Sequence, residues 1–230
     1  KIACSIRPYE KHIGNTEKVV SKALKRSYDA FLNGEPKVPV LEKIINEFEA
    51  IQTKKTDRPK VAIFGDLYVR DNDLFNQDLV KIVEDNGGEV ITTPYSEYIK
   101  IIVDPHTERS LKERNYFDYV KVKFLSSLIP LVEDKYKKCL KPYKGESIST
   151  SSELVDQWLD NFGLNVLHRG ESIENILKIY SLINKYPDLD LFIQTNPSYC
   201  CPSLITEAMT SRIEEITGIP VVSIEYDGTM

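Results

Sequence analysis

At 230 residues, 41% apolar and 28% charged, the chain has the make-up of a soluble globular protein: one large domain, or one domain with an appended helical arm. No apolar run reaches the roughly eighteen residues that span a bilayer, residues 124–132 coming nearest, and no segment reads as a signal peptide. A net charge of −5, with Lys and Arg interleaved among Asp and Glu, argues against nucleic acid as a partner, as the hydropathy argues against a membrane.

Residues 16–33 place Val19, Val20, Ala23, Leu24, Tyr28 and Phe31 on one helical face, with Thr16 as N-cap and Asn33-Gly34 as the stop. Residues 38–51 repeat the pattern with Leu41, Ile44, Ile45, Phe48 and Ile51. Together they predict a helical arm over residues 1–57. From Lys60 the period changes. Residues 61–64 predict a buried strand, and residues 73–86 a helix with Leu74, Leu79, Ile82 and Val83 inward. Residues 90–93 predict a second strand, closed by Pro94, which completes a βαβ unit. Helical periodicity then runs through residues 96–143, 151–162 and 172–185, an insertion of about 96–186. A third strand over 189–195, a crossover helix over 202–217 stopped by Gly218, and a fourth strand over 221–225 follow.

The sum is an α/β, Rossmann-like domain over 58–230: a parallel four-stranded sheet in flavodoxin-like order 2-1-3-4, with helices on both faces. The inserted helices are expected as a lobe over the carboxyl edge. The loops after strands one and three then flank the switch point, where open α/β sheets take their ligands. A start at Lys1 and an end on Asp227-Gly228-Thr229-Met230 suggest a piece of a longer polypeptide.

Cys200-Cys201 stands at this strand-to-helix crossover, with Pro202 as the first helical residue. Backbone N–H groups and the helix dipole lower a thiolate's pKa there, and thiolates ligate iron–sulfur clusters and zinc. Two cysteines do not complete a four-ligand site, so three readings stand: metal or cluster ligation, dithiol redox work, and one buried cysteine beside a bystander. Four cysteines in all (Cys4, Cys139, Cys200, Cys201) make no disulfide scaffold and fit a reducing cytoplasm; Cys4 and Cys139 read as structural. In the loop after strand one, Asp66, Tyr68, Arg70 and Asn72 have the polar groups to line a cleft, while Asp71 or Asn72 also suits a helix N-cap. His168 and Glu171 offer a proton-transfer pair before a helix, the commoner alternative being a capping or surface role. Asp227-Gly228-Thr229 reads as a turn. No Gly-x-x-x-x-Gly-Lys-Ser/Thr or Gly-x-Gly-x-x-Gly motif is present, which removes the usual nucleotide sites.

Several segments together resemble the large activators of 2-hydroxyacyl-CoA dehydratases, in particular the carboxyl-terminal, dehydratase-like and double-cubane-cluster-like portion of the long fused form. They are Ile6-Arg7-Pro8-Tyr9-Glu10, Gly65-Asp66-Leu67-Tyr68-Val69-Arg70-Asp71-Asn72, Gly87 through Tyr95, Gly170-Glu171-Ser172, and Asn196-Pro197 through Cys200-Cys201-Pro202 to Met209. The resemblance runs over almost the whole chain. It implies a Rossmann-like domain of an anaerobic protein in which a separate actin-like module hydrolyses ATP and drives low-potential electrons onto an iron–sulfur cluster. Partners implied are that ATPase module and a 2-hydroxyacyl-CoA dehydratase. Carried onto this sequence, Cys200 and Cys201 are the cluster ligands, a partial site. Asp66, Tyr68, Arg70, Asn72, Glu171 and Asn196 line the cleft. The alternative is a cluster-free docking module that positions the ATPase on its dehydratase.

Overall fold

A computed structural model describes residues 1–93, 103, 106–140, 152–165, 168 and 171–229. Its centre is a sheet of β1 (Lys60–Gly65), β2 (Glu89–Ile91), β3 (Leu191–Pro197) and β4 (Val221–Tyr226), all parallel and ordered β2-β1-β3-β4. This is the order expected from the sequence. The inner strands β1 and β3 are covered on both faces, which is why their sequences read as apolar runs rather than alternating ones.

Alternate residues of the strands feed two cores. Ala62 and Phe64 of β1 and Phe192 of β3 meet Trp158 and Leu159 of α7 (Ser152–Asp160), Ile173, Ile176 and Ile179 of α8 (Glu171–Lys185), and Ile213 of α10 (Thr210–Thr217). The rings of Phe64 and Phe192 meet edge to face, 5.9 Å between centroids. The buried Trp158 indole has its one polar atom satisfied, Nε1 donating to Ile176 O at 2.9 Å. On the other face, Val61, Ile63, Val90 and Ile193 pack with Leu79 of α5 (Leu79–Asp85) and Cys4 of α1 (Ile2–Ile6).

Helices α2 (Asn15–Leu32) and α3 (Lys37–Glu49) build a third core around Ile6, Ala23, Ile44 and Phe48. Two polar contacts tie this arm to the sheet. Arg7 meets Glu84 of α5 at 2.7 Å, and the Tyr9 hydroxyl donates to Glu89 at 2.7 Å. Between β2 and β3 also stand a helical stretch over 106–112 and the long α6 (Tyr116–Leu140), which packs against α3.

Five expectations are corrected. Leu24, Tyr28 and Phe31 of α2 face outward, because only the Ala23 side of that helix meets α3. Its N-cap is Gly14 rather than Thr16, and the Glu10 carboxylate accepts from Gly14 N and Thr16 N, at 2.6 Å each, in the capping role. The helix expected over 73–86 begins only at Leu79, leaving Leu74 exposed, and the helix over 202–217 breaks at Met209 into α9 (Cys201–Ala208) and α10. Lastly, α8 lies on a face of the sheet with α7 packed on it, rather than over the carboxyl edge, because its apolar stripe is matched to Phe64 and Phe192. The parts of the insertion at 94–102, 104–105, 141–151, 166–167 and 169–170 lie outside the described residues.

Candidate functional site at the carboxyl edge of the sheet

The loops after β1 and β3 leave the sheet side by side. Gly65 pairs with Thr195 in register, and Asp66 N donates to Thr195 O at 2.9 Å. Beyond β3 the chain turns at Tyr199, a non-glycine residue with φ of 63° whose side chain is 88% exposed. Holding such a residue in the left-handed region costs roughly 1–2 kcal/mol. The turn delivers Cys200 as N-cap and Cys201 as first residue of α9. Pro202 is therefore the second helical residue, one place later than the sequence suggested. Cys200 is half-buried, Cys201 exposed, and among the described residues neither is in a disulfide. Cys200 makes no side-chain capping bond, so its sulfur stays available at the positive end of the helix.

The β1 loop is spent partly on itself. Asp66 caps the short α4 (Leu67–Asp71) by accepting from Val69 N at 2.8 Å. Asn72 accepts from Phe75 N at 3.1 Å and so heads a turn, not the helix expected after it. Tyr68 is exposed, its ring edge-on to Phe75, which in turn meets Tyr226 at the end of β4.

Arg70 differs. It is 2% exposed, with Nε and Nη2 donating to Asp71 at 2.8 and 2.6 Å and Nη2 also reaching Thr93 O at 3.2 Å, while Nη1 has no partner among the described residues. Asn196, fully buried in β3, has neither its Nδ2 nor its Oδ1 paired among the described residues. The Thr93 hydroxyl, just past β2, and Gln194 Oε1 are likewise buried and unpaired. Gln194 Nε2 is engaged, donating to Ser203 O and so pinning the first turn of α9 to the sheet. Each buried polar group left without a partner costs about 1–3 kcal/mol. Globular stability amounts to roughly 5–15 kcal/mol in total. Several such groups along the ends of three adjoining strands are therefore a large expense to leave without a purpose.

The structure brings Asp66, Arg70 and Asn196 to one edge and sets Cys200-Cys201 on the next loop; Tyr68 and Asn72 lie on the rim. Glu171 opens α8, and its side chain lies outside the described residues. His168 is exposed and closes a turn, its Nδ1 accepting from Asn165 N at 3.0 Å. Cys4 is a core residue whose thiol is pushed up in pKa by burial. Cys139 sits 3.6 Å from Glu42 on α3. In the turn read from the sequence, Asp227 accepts from the Thr229 hydroxyl at 2.6 Å and from Thr229 N at 2.8 Å, and those bonds, the hydroxyl's first, lower its pKa.

Neither Thr93 nor Gln194 is among the residues that the sequence pattern assigns to the cleft. For Gln194 a signal exists: Gln194-Thr195-Asn196 is a polar run inside a strand that the flanking apolar residues mark as buried on both faces.

Among the described residues no group of three or more His, Cys, Asp and Glu side chains converges to hold a metal ion. None of the described helices is long and apolar enough to cross a membrane. No family model, curated protein or solved structure matches the chain.

Proposed function

We propose that this chain is the electron-accepting domain of an iron–sulfur protein of the 2-hydroxyacyl-CoA dehydratase activator type. The observation that carries the reading is a pair of free, adjacent cysteines at the N-terminus of α9, on the carboxyl edge of a parallel sheet. The donor set fits one side of a thiolate-bound cluster and no more: Cys200 and Cys201 supply two sulfurs, and a cubane held by cysteine needs about three or four. The remaining ligands come from elsewhere in the full polypeptide or from a partner. When bound, the cluster supplies a one-electron store at low potential; ATP hydrolysis belongs to a separate actin-like module.

What the chain's own residues do follows from their placement. The N-terminal turn of α9 sets both sulfurs at the positive end of the helix dipole, which favours thiolate charge on a bound cluster. Gln194 fixes that turn against the sheet through Ser203 O. Asp66 holds the β1 loop beside the sulfurs.

Anaerobic reconstitution with ferrous iron and sulfide tests the reading, on the chain alone and on a longer polypeptide that carries the actin-like module. The longer protein is expected to bind iron and sulfide stoichiometrically, with the double substitution Cys200→Ala, Cys201→Ala removing most of it. Unchanged iron content in the double variant overturns the assignment.

One observation favours a second reading. Phe117, Val120, Phe124 and Leu131 of α6 are all exposed and recur at helical spacing along one stripe. That stripe suits a cluster-free docking module which positions the ATPase on its dehydratase. On this reading the double cysteine variant keeps full partner binding, while charged substitutions at Phe117 and Phe124 abolish it.

A further inference from the structure

The unpaired groups around Arg70 do not need the cysteines to be meaningful, and they define a chemistry of their own. Arg70 Nη1 offers N–H donors. The Arg70 Nη2 bond to Thr93 O sets Thr93 beside the guanidinium, and the Thr93 hydroxyl, a donor or an acceptor, is buried and unpaired among the described residues. Asn196 offers both an NH2 donor and a carbonyl acceptor, and its Oδ1 would stand 2.9 Å from a Cβ built on Gly65. The amide of Asn196 thus lies against the backbone where β1 ends, at the switch point of the sheet.

The charge at this edge decides the ligand class. Arg70 is held in a two-pronged pair by Asp71, so the guanidinium charge is already neutralised while one nitrogen remains free to donate. An oxyanion entering here gives up its hydration next to a carboxylate, without a spare positive charge to offset the loss. A neutral group with a carbonyl oxygen beside an N–H loses far less and matches the available partners one for one. Its oxygen accepts from Arg70 Nη1 and Asn196 Nδ2, and its N–H donates to Asn196 Oδ1 or the Thr93 hydroxyl.

We propose that the carboxyl edge between β1, β2 and β3 is a binding site for a small neutral carboxamide group, held by Arg70, Thr93 and Asn196. The group is either a free small amide or the amide of a larger molecule. The inference stands without the cluster and is tested on the iron-free chain, so its failure and the failure of the redox reading are separate results.

The test is a titration of the 15N-labelled chain with acetamide and N-methylacetamide, and in parallel with acetate and inorganic phosphate, reading the Asn196 side-chain and Arg70 guanidinium resonances. Saturable shifts with the amides, at least about tenfold tighter than with either anion, are expected. N-methylacetamide binding as well as acetamide indicates room for a larger amide-bearing molecule, and acetamide alone indicates a free small amide; both support the proposal. Asn196→Leu, matched in size, is expected to lose the Arg70 response while its melting temperature stays level or rises, because an unpaired buried amide is removed. Thr93→Val serves the same purpose if Asn196→Leu does not fold, with an expected weakening of about tenfold. The proposal is overturned if the amides give no saturable shift, if acetate or phosphate binds as tightly, or if the folded variants respond like the parent.

Discussion

Asn196 and Gly65 share one space: a methyl group on Gly65 would stand 2.9 Å from Asn196 Oδ1 and press still harder on Thr195 O. Gly65 also has φ of 112°, a conformation that L-residues with a side chain rarely adopt. Gly65→Ala is therefore expected to cost about 2–4 kcal/mol through strain and displacement of the β3 end. Urea denaturation measures this; a loss below about 0.5 kcal/mol would show that the two strand ends are free to part.

The two vicinal cysteines differ in setting from Cys4. Cys201 is exposed, Cys200 is half-buried, and Cys4 sits in the core with its thiol pKa raised by burial. Brief alkylation near pH 8, followed by peptide mass spectrometry, should label Cys201 first and leave Cys4 unmodified until the protein is unfolded. Early labelling of Cys4 would place α1 outside the core.

Cys200 is an N-cap that makes no side-chain capping bond. Cys200→Ser supplies a good capping oxygen and is expected to stabilise the chain by about 0.5–1 kcal/mol, whereas Cys200→Ala is close to neutral. Thermal melts of the two variants check the order. A strong destabilisation by Ala would mean that Cys200 is needed for packing.

Glu10 and Glu84 respond to acid in opposite directions. Burial opposes ionisation of Glu10, but hydrogen bonds from Thr16 and Gly14 outweigh it and hold the carboxyl below its ordinary value. A lowered folded pKa means that this contribution is fully present above the unfolded pKa, about 4.3, and is lost as pH falls through the folded one. Glu84 is raised by burial, only partly offset by Arg7, so its ionisation weakens the fold as pH rises from about 4.3 through the folded pKa. Glu10→Gln should thus destabilise at pH 7 by about 1 kcal/mol and progressively less below pH 4. Glu84→Gln should flatten the decline in stability above about pH 4.3. Denaturation curves across pH 3–7 test both signs.

Much of this architecture is legible in the sequence because parallel strands declare themselves. Val61-Ala62-Ile63-Phe64 and Leu191-Phe192-Ile193 are apolar throughout, and the strand order follows from a βαβ unit with later strands added on the other side. What escapes is decided by single side chains acting at a distance. Periodicity assigns residues 73–86 to one helix, yet buried Asn76 donates to Val69 O and Arg70 O and accepts from Leu79 N. Those bonds, with Gln77 and Asp78 at positive φ, hold a loop where propensity alone favours a helix. Nor does an apolar stripe announce whether it is covered, as Leu24, Tyr28 and Phe31 show.

The candidate site is legible to the same degree. The cysteines, Asp66, Arg70 and Asn196 stand out by type and position. The state of Arg70, neutralised by Asp71 with one nitrogen left over, depends on three-dimensional neighbours that no spacing encodes.

The central claim is that Cys200 and Cys201 are iron ligands, and electron paramagnetic resonance of the reduced, reconstituted full-length protein tests it most directly. Cys201→Ser substitutes an oxygen ligand for a sulfur without removing the side chain. The account predicts a changed signal and a shifted reduction potential in that variant, with partner binding intact. Superimposable spectra and potentials for the parent and the Cys200→Ser and Cys201→Ser variants would contradict it.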